Sequence, residues 1–378
     1  MLNASVSTYF SRRADPVLRT RRAALTRHTA IFGWIAAALW LLALAGTARA
    51  LPVDGLYSHE VAVSSQSEVE RRRAYREALA QVIVKVTGER IWLDHPRISA
   101  AVNNADEFVA QVSYRTRGTE ALIEVRFDRE QLDELLNRED IPVWDNNRAS
   151  VLLWITVQAA DGRRTMLGSS SEHELLDQAR LFASERAVPV LIPLLDLTDR
   201  RMVTPDKAWA LDSEALRSAA NRYGADSVLA ARVLEAPDGQ LVGLWKFLFR
   251  DNEEIFDHIE FESQTYMDLP LDNVTSRLAS HFGLVRSTLD RRDQVALRVD
   301  GISDLDNHLR LVRYLESLSV VRAVSIAGLR ADGVELQVQL AGTRQMLTEF
   351  ISLERDLQEQ NFQLGESLPE LLHYRWTR

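Results

Sequence analysis

The chain has 378 residues, 46% hydrophobic and 26% charged, a balance that excludes wholesale disorder and collagen-like repeats and suits two or three domains. It has no cysteine, which excludes disulfides, thiol catalysis, cysteine-ligated zinc, iron–sulfur clusters and a lipid-anchored N-terminal cysteine. The formal charge is −9, and Lys85, Lys207 and Lys246 are the only lysines, so Schiff-base chemistry has few candidates.

Residues 1–30 carry Arg12, Arg13, Arg19, Arg21, Arg22 and Arg27 against one acid, Asp15. The apolar run 31–46 follows (IFGWIAAALWLLALAG), and then Ala48-Arg49-Ala50. A positive n-region, an apolar h-region and a small-x-small motif are the three parts of a secretory signal, with cleavage expected after Ala50. The run has 16 residues, short of the ~20 that span a bilayer comfortably. The rival reading is an uncleaved anchor, favoured by Trp34, Trp40 and the long n-region; membrane contact then comes only through residues 31–46. The paired arginines at 12–13 and 21–22 lack the apolar residues that follow them in twin-arginine signals. Either way the bulk of the chain is expected in the periplasm. The first 50 residues hold seven arginines and one aspartate, so the exported part has 38 cations, 53 acids and a net charge of −15. Such a surface repels phosphate backbones, and nucleic acid is not an expected partner.

Residues 51–145 read as an N-terminal α+β module. Val61 and Val63 lie on an extended start, and Ser67 with Glu70 forms a capping box. Tyr75, Leu79, Val82, Ile83 and Val86 stripe one helix face, with Gly88 as its stop. A second helix follows Pro96. Val112–Arg115 and the alternating Ile123, Val125 and Phe127 predict a hairpin turned at Gly118. An acidic helix over Arg129–Asp140 closes the module, and Pro142 marks a joint. The cluster Arg71, Arg72, Arg73 and Arg76 is interleaved with Glu68, Glu70 and Glu77 and reads as a solvated helix face.

Residues 146–290 read as a mixed α/β module. Val151–Val157 is an apolar strand, and Gly168-Ser169-Ser170-Ser171 leads into a helix over Glu172–Arg186. Val188–Leu195 (VPVLIPLL) has the two-sided apolarity of a buried strand. A loop with Asp196, Asp199 and Trp209 precedes a helix over Ser213–Tyr223, with Leu216 and Ala220 inward. Strands follow at Ser227–Leu234, Leu241–Phe249 and Ile255–Phe261, then a helix over Asp272–Leu289.

Residues 291–378 carry the clearest pattern. Val295, Leu297 and Val299 alternate on a strand, and Leu305, Leu309, Val312 and Leu315 stripe a helix. Val320–Leu329 is a strand turned at Asp332-Gly333 into the alternating Val334, Leu336, Val338 and Leu340. Met346, Leu347, Phe350, Leu353 and Leu357 stripe a second helix, and an extended segment ends at Trp376. The expected architecture is therefore α/β (α+β) and multi-module, a mixed-sheet middle domain followed by a ferredoxin-like βαββαβ domain.

Leu56-Tyr57, Gln66-Ser67, Arg76-Glu77-Ala78-Leu79, Val86-Thr87-Gly88, Pro189–Asp196 (PVLIPLLD), Ala225-Asp226 and Trp245 together resemble the landmarks of a proteobacterial envelope family, the domain of unknown function numbered 2066. The resemblance spans nearly all of the exported part. It implies an exported protein of unassigned biochemistry, with no catalytic residues to carry over. The strand–helix order of the middle module is loosely similar to the N-terminal domain of the Tol translocation protein, an architectural analogy.

Catalytic patterns are sparse. His173-Glu174-Leu175-Leu176-Asp177 is one residue from the zinc-protease H-E-x-x-H, but Asp177 stands where the second imidazole must face the metal. Ser171 reads better as a helix-cap partner of Glu174. The eight histidines are scattered, and the patterns G-x-S-x-G, S-x-x-K and P-loop are missing, so no metal and no cofactor are expected. Ser169, Ser170 and Ser171 read as a helix N-cap, with a nucleophile loop as the rival. In open α/β sheets ligands sit beyond the carboxyl ends of the strands, which places Asp196, Asp199 and Trp209 at a crevice that Ser169–Ser171 borders. Acids beside an indole suit a sugar or a cationic peptide. The simpler reading has Asp196 capping a turn and Trp209 covering core. The favoured function is a non-enzymatic module that binds envelope proteins or cell-wall glycan or peptide through crevices and sheet edges. The alternatives are an envelope hydrolase using Asp196 and Asp199, and a membrane-tethered assembly factor.

Overall fold

The computed structural model describes residues 55–261, 263–285, 293–353, 356–360 and 371–377. The expected export signal, with Ala48 and Ala50, lies outside the described residues. Residues 50–378 belong to one compact unit. The described residues form a mixed α/β chain with three sheets.

In the first module, strand β1 (Ser58–Ala62) is followed by helix α1 (Glu68–Thr87) and helix α2 (Pro96–Asn103). Strands β2 (Val109–Arg117) and β3 (Glu120–Phe127) form the expected hairpin, and helix α3 (Arg129–Arg138) closes the unit. The sheet order is β1-β3-β2, all antiparallel. Leu79, Val82, Ile83 and Val86 of α1 pack on Ile123, Val125 and Phe127 of β3 and on Leu132 and Leu136 of α3. The capping box forms by half. Ser67 accepts from the Glu70 N–H, but the Glu70 carboxylate turns to Ser64 and Arg73. Gly88 ends α1 with φ 78, and a Cβ there would stand 2.2 Å from the Ala279 Cβ. Only glycine allows both the left-handed turn and that approach.

The second sheet contains β4 (Val151–Gln158), β5 (Arg164–Leu167), β6 (Val190–Leu191), β7 (Ser227–Glu235), β8 (Leu241–Phe249) and β9 (Asn252–Glu260). Its order is β5-β4-β7-β8-β9, with β4 parallel to β7 and to the short β6. Helices α4 (Glu174–Arg186) and α8 (Asp268–Phe282) cover one face. On the other lie α5 (Leu197–Met202), α6 (Pro205–Ala210) and α7 (Ser213–Tyr223). The expected buried strand Val188–Leu195 shrinks to β6 with Leu194 exposed, because Pro189 and Pro193 supply no N–H to a ladder. The helix expected over Asp272–Leu289 begins at Asp268 and ends at Phe282; residues 286–289 lie outside the described residues.

The third sheet holds β10 (Gln294–Asp300), β11 (Val321–Leu329), β12 (Gly333–Leu340), β13 (Leu357–Glu359) and β14 (Leu371–Trp376), with helices α9 (Leu305–Ser317) and α10 (Arg344–Ser352). The order β11-β12-β10-β14-β13 keeps the ferredoxin-like plan, and the alternation of Val334, Leu336, Val338 and Leu340 is buried as expected. Two details differ from the sequence pattern. The final extended segment is a pair of antiparallel strands, with β14 wedged between β10 and β13 and running parallel to β10. Leu357 consequently belongs to β13 and not to the helix stripe. The buried face of α9 is Leu311 and Leu315, while Leu305 and Leu309 point outward.

The second and third modules share one continuous core, from Trp144, Leu153 and Trp245 to Leu297, Leu336, Phe350 and Trp376. Ring contacts Phe249–Phe282 and Phe282–Phe350 carry it across.

Candidate functional site

Asp196 caps α5, accepting from the N–H groups of Thr198 and Asp199 at 2.9 Å. Both its oxygens also meet Arg222 of α7, at 2.5 and 3.0 Å. The Arg222 hydrogen bonds hold its carboxyl down at about 2. Asp199 is fully buried. One oxygen pairs with Arg222, and the other accepts from the Tyr223 hydroxyl at 2.6 Å and the Leu195 N–H at 2.8 Å. Burial, then the hydrogen bond to Asp199, pushes the Tyr223 phenol up to about 12. Leu195 has φ 54, a left-handed conformation costly for a branched side chain, and Arg200 braces it by donating to its carbonyl at 2.8 Å. The two acids thus tie a strained corner to the end of α7.

The serine turn lies against the same corner. The Ser169 N–H donates to the Pro193 carbonyl at 2.8 Å, and its own carbonyl accepts from Arg180. Ser170 is exposed, and the Ser171 hydroxyl accepts from the Gly168 N–H at 3.0 Å, closing its own turn. The cap of α4 is instead His173, whose Nδ1 accepts from the Leu175 N–H. Trp209 belongs to a separate constellation. The Arg164 guanidinium lies 4.1 Å from the centroid of its ring, and that of Arg232 lies 5.8 Å away. The Ser169–Pro193 bond thus brings the serine turn to the corner that Asp196 and Asp199 hold, while the indole has arginine partners.

A second cluster carries no motif in the sequence. Arg148, almost wholly buried, donates to the carbonyls of Asp145, Trp144, Arg186, Ala187 and Lys85 at 2.5 to 3.3 Å. Its guanidinium also stacks 4.3 Å from the Trp144 ring. Lys85 donates to the Ser58 carbonyl at 2.8 Å, and burial pushes its amine down to about 8. Arg186 joins Asp272 of the second module to the Gly88 carbonyl of the first. Asp145 accepts from the Ser319 N–H at 3.0 Å, and Asn147 donates to the Phe350 carbonyl at 2.9 Å. Residues 144–148 therefore rivet all three modules. These are structural roles.

An open apolar groove lies on the third module. Strand β11 is the sheet edge, and Leu305 and His308 of α9 share a cavity with its Ile326 and Leu329. Leu305 and Leu329 are 71% and 75% exposed, and with Ile326 and Val334 they line a cavity of about 390 Å³. His308 also lines it, and its Nδ1 is buried with no hydrogen-bond partner among the described residues. On the second sheet, edge strand β9 exposes more than half of Ile255 and Ile259, and of Phe261 just beyond. Exposed apolar residues grouped along an unpaired edge differ from ordinary scattered ones, since they offer both hydrogen bonds and burial to a further strand.

Among the described residues no group of three or more His, Asp or Glu is placed to hold a metal, and no helix is long and apolar enough to cross a membrane. The fold thus defines a cysteine-free mixed α/β protein whose described residues form three sheets. A family model described as a domain of unknown function (DUF8605) matches residues 50–145, the first module. No curated protein and no solved structure matches the chain.

Proposed function

We propose that this chain is an exported, non-enzymatic protein of the cell envelope that binds extended polypeptide segments of other envelope proteins. The single observation that carries the reading is the apolar groove between α9 and edge strand β11. A strand laid along β11 gains main-chain hydrogen bonds, and its alternate side chains enter the space lined by Leu305, Ile326 and Leu329. The export half of the reading is supported by the charged, apolar and small-residue pattern of residues 12–50 and by the resemblance to the envelope family numbered 2066. Asp196 and Asp199 are engaged by Arg222, Tyr223 and backbone N–H groups, so the hydrolase alternative gains no support from them. A tethered assembly factor would use the same groove and differ only in keeping residues 31–46.

The test places a photo-crosslinking amino acid at Leu329 in the full chain, in cells. The expected result is a discrete crosslinked envelope protein, lost when Ile326→Glu is added. A Leu329 probe that captures nothing beyond what a probe at exposed Asp161 captures overturns the reading.

A further inference from the structure

Arg164 and Arg232 share one indole, and we infer that their two guanidiniums, seated on Trp209, form a binding site for a single phosphate group. Helix α6, which carries Trp209, lies across β4, β5 and β7. Arg164 opens β5 and pairs in register with Gln158 of β4, and Arg232 of β7 pairs in register with Thr156. Gln158 is the last residue of β4, and Arg232 lies in the later half of the parallel β7. The cluster therefore sits at the carboxyl end of the parallel pair, which is where open α/β sheets hold ligands. The guanidiniums of Arg164 and Arg232 lie 4.1 and 5.8 Å from the same ring centre.

What the cluster lacks is negative charge. Arg164 donates to Gln158 Oε1 at 2.8 Å, a neutral acceptor, and Arg232 makes no hydrogen bond or ion pair among the described residues. The acids nearby do not neutralise them. Asp161 pairs with Arg163, Glu235 lies 3.8 Å from His173, and Asp257, on the same sheet face as Arg232, is two strands away. Asp206, three residues before Trp209 on α6, makes no ion pair with either arginine. Two like charges on one ring repel each other, and a shared anion relieves both. The Thr156 hydroxyl, in register beside Arg232, is fully buried with no hydrogen-bond partner among the described residues. A buried hydroxyl is costly to leave unpaired, and an oxyanion is the acceptor that the cluster lacks. Phosphate suits it better than a carboxylate, because it offers more oxygens and up to two charges to two guanidinium forks. The acidic chain as a whole repels a long polyanion, so the ligand presents one phosphate and not a nucleic-acid strand.

The experiment titrates residues 50–378, a compact unit by itself, with inorganic phosphate against chloride at constant ionic strength, followed by phosphorus NMR line width and tryptophan emission. The wild-type chain is expected to respond saturably. Arg164→Gln and Arg232→Gln each raise the half-saturating phosphate concentration about tenfold, the loss of one charge-assisted contact, and the double variant does not saturate. Arg201→Gln, at an exposed arginine of α5, leaves the response unchanged. Arg164 is exposed, and an unchanged melting curve confirms that its variant folds. Competition by glycerol phosphate assigns a soluble ester, and competition by phosphatidic acid vesicles but not by the ester assigns a lipid headgroup. A wild-type chain without a saturable response overturns the inference, as does a double variant that responds like the wild type. In either case the arginines on Trp209 serve only the packing of α6.

Discussion

Replacing Arg148 by methionine isolates the rivet between the modules, because the stem survives and only the guanidinium goes. Five carbonyls then lose a charged donor, at about 1.5 kcal/mol each, a gross loss of about 7.5 kcal/mol. Relief from burying a cation offsets several kcal/mol, for which about 3 is a fair figure. The ring contact with Trp144 adds under about 1 kcal/mol, so the net cost is about 5 kcal/mol. Urea unfolding followed by tryptophan fluorescence measures it directly, since Trp144 lies under the guanidinium. Arg148→Lys keeps the charge but cannot reach five carbonyls, and it is expected to recover less than half of the loss. A loss below about 1 kcal/mol for Arg148→Met would refute the idea that these hydrogen bonds hold the modules together.

Asp199→Ala strands the Leu195 N–H and the Tyr223 hydroxyl beside a left-handed Leu195, and calorimetry should record a loss of about 3 kcal/mol. Leu336→Asp puts a charge into the core shared by the second and third modules, so a loss above about 4 kcal/mol should appear in the whole chain's unfolding and not in one module alone. His59 is held down to about 4, by burial first and then by Lys85, so its unfolded form binds more protons between about pH 6.5 and 4. Its contribution to stability is therefore present above that window and lost as the pH falls through it; His59→Gln should flatten this part of a pH–stability curve. N-terminal sequencing of envelope-extracted protein is expected to begin at Leu51, and an intact residue 1 would move the reading to an anchor.

Legibility followed the kind of physics involved. The alternation Val334–Leu340, the hairpin at Gly118 and the helix over Ser213–Tyr223 depend on neighbours in sequence, and the structure keeps them. The apolar run 188–195 was misleading because its two prolines forbid a ladder that hydrophobicity alone would suggest. Leu305 and Leu309 fit a helical period, but a period does not say which side of a helix meets the core. At the candidate site, Asp196 and Asp199 have the spacing of a cap and its third residue, which sequence can show. Their partners Arg222 and Tyr223 lie more than 20 residues on and carry no local signal. The Arg148 rivet was invisible for a stronger reason. Its partners are backbone carbonyls, and every residue has one.

The position of β14 sets an order of events. It lies inside the third sheet, between β10 and β13, yet follows both of them along the chain. While residues 371–376 are still being made, β10 keeps a raw edge, and Leu297 and Val299 lack the cover of Leu372 and Tyr374. Such late, long-range pairing is slow and leaves a sticky surface exposed meanwhile. Since the same core reaches Trp245 and Phe282, the second module cannot finish packing before the third does. The chain would therefore be open to a chaperone until its final strand arrives, and closed to it afterwards.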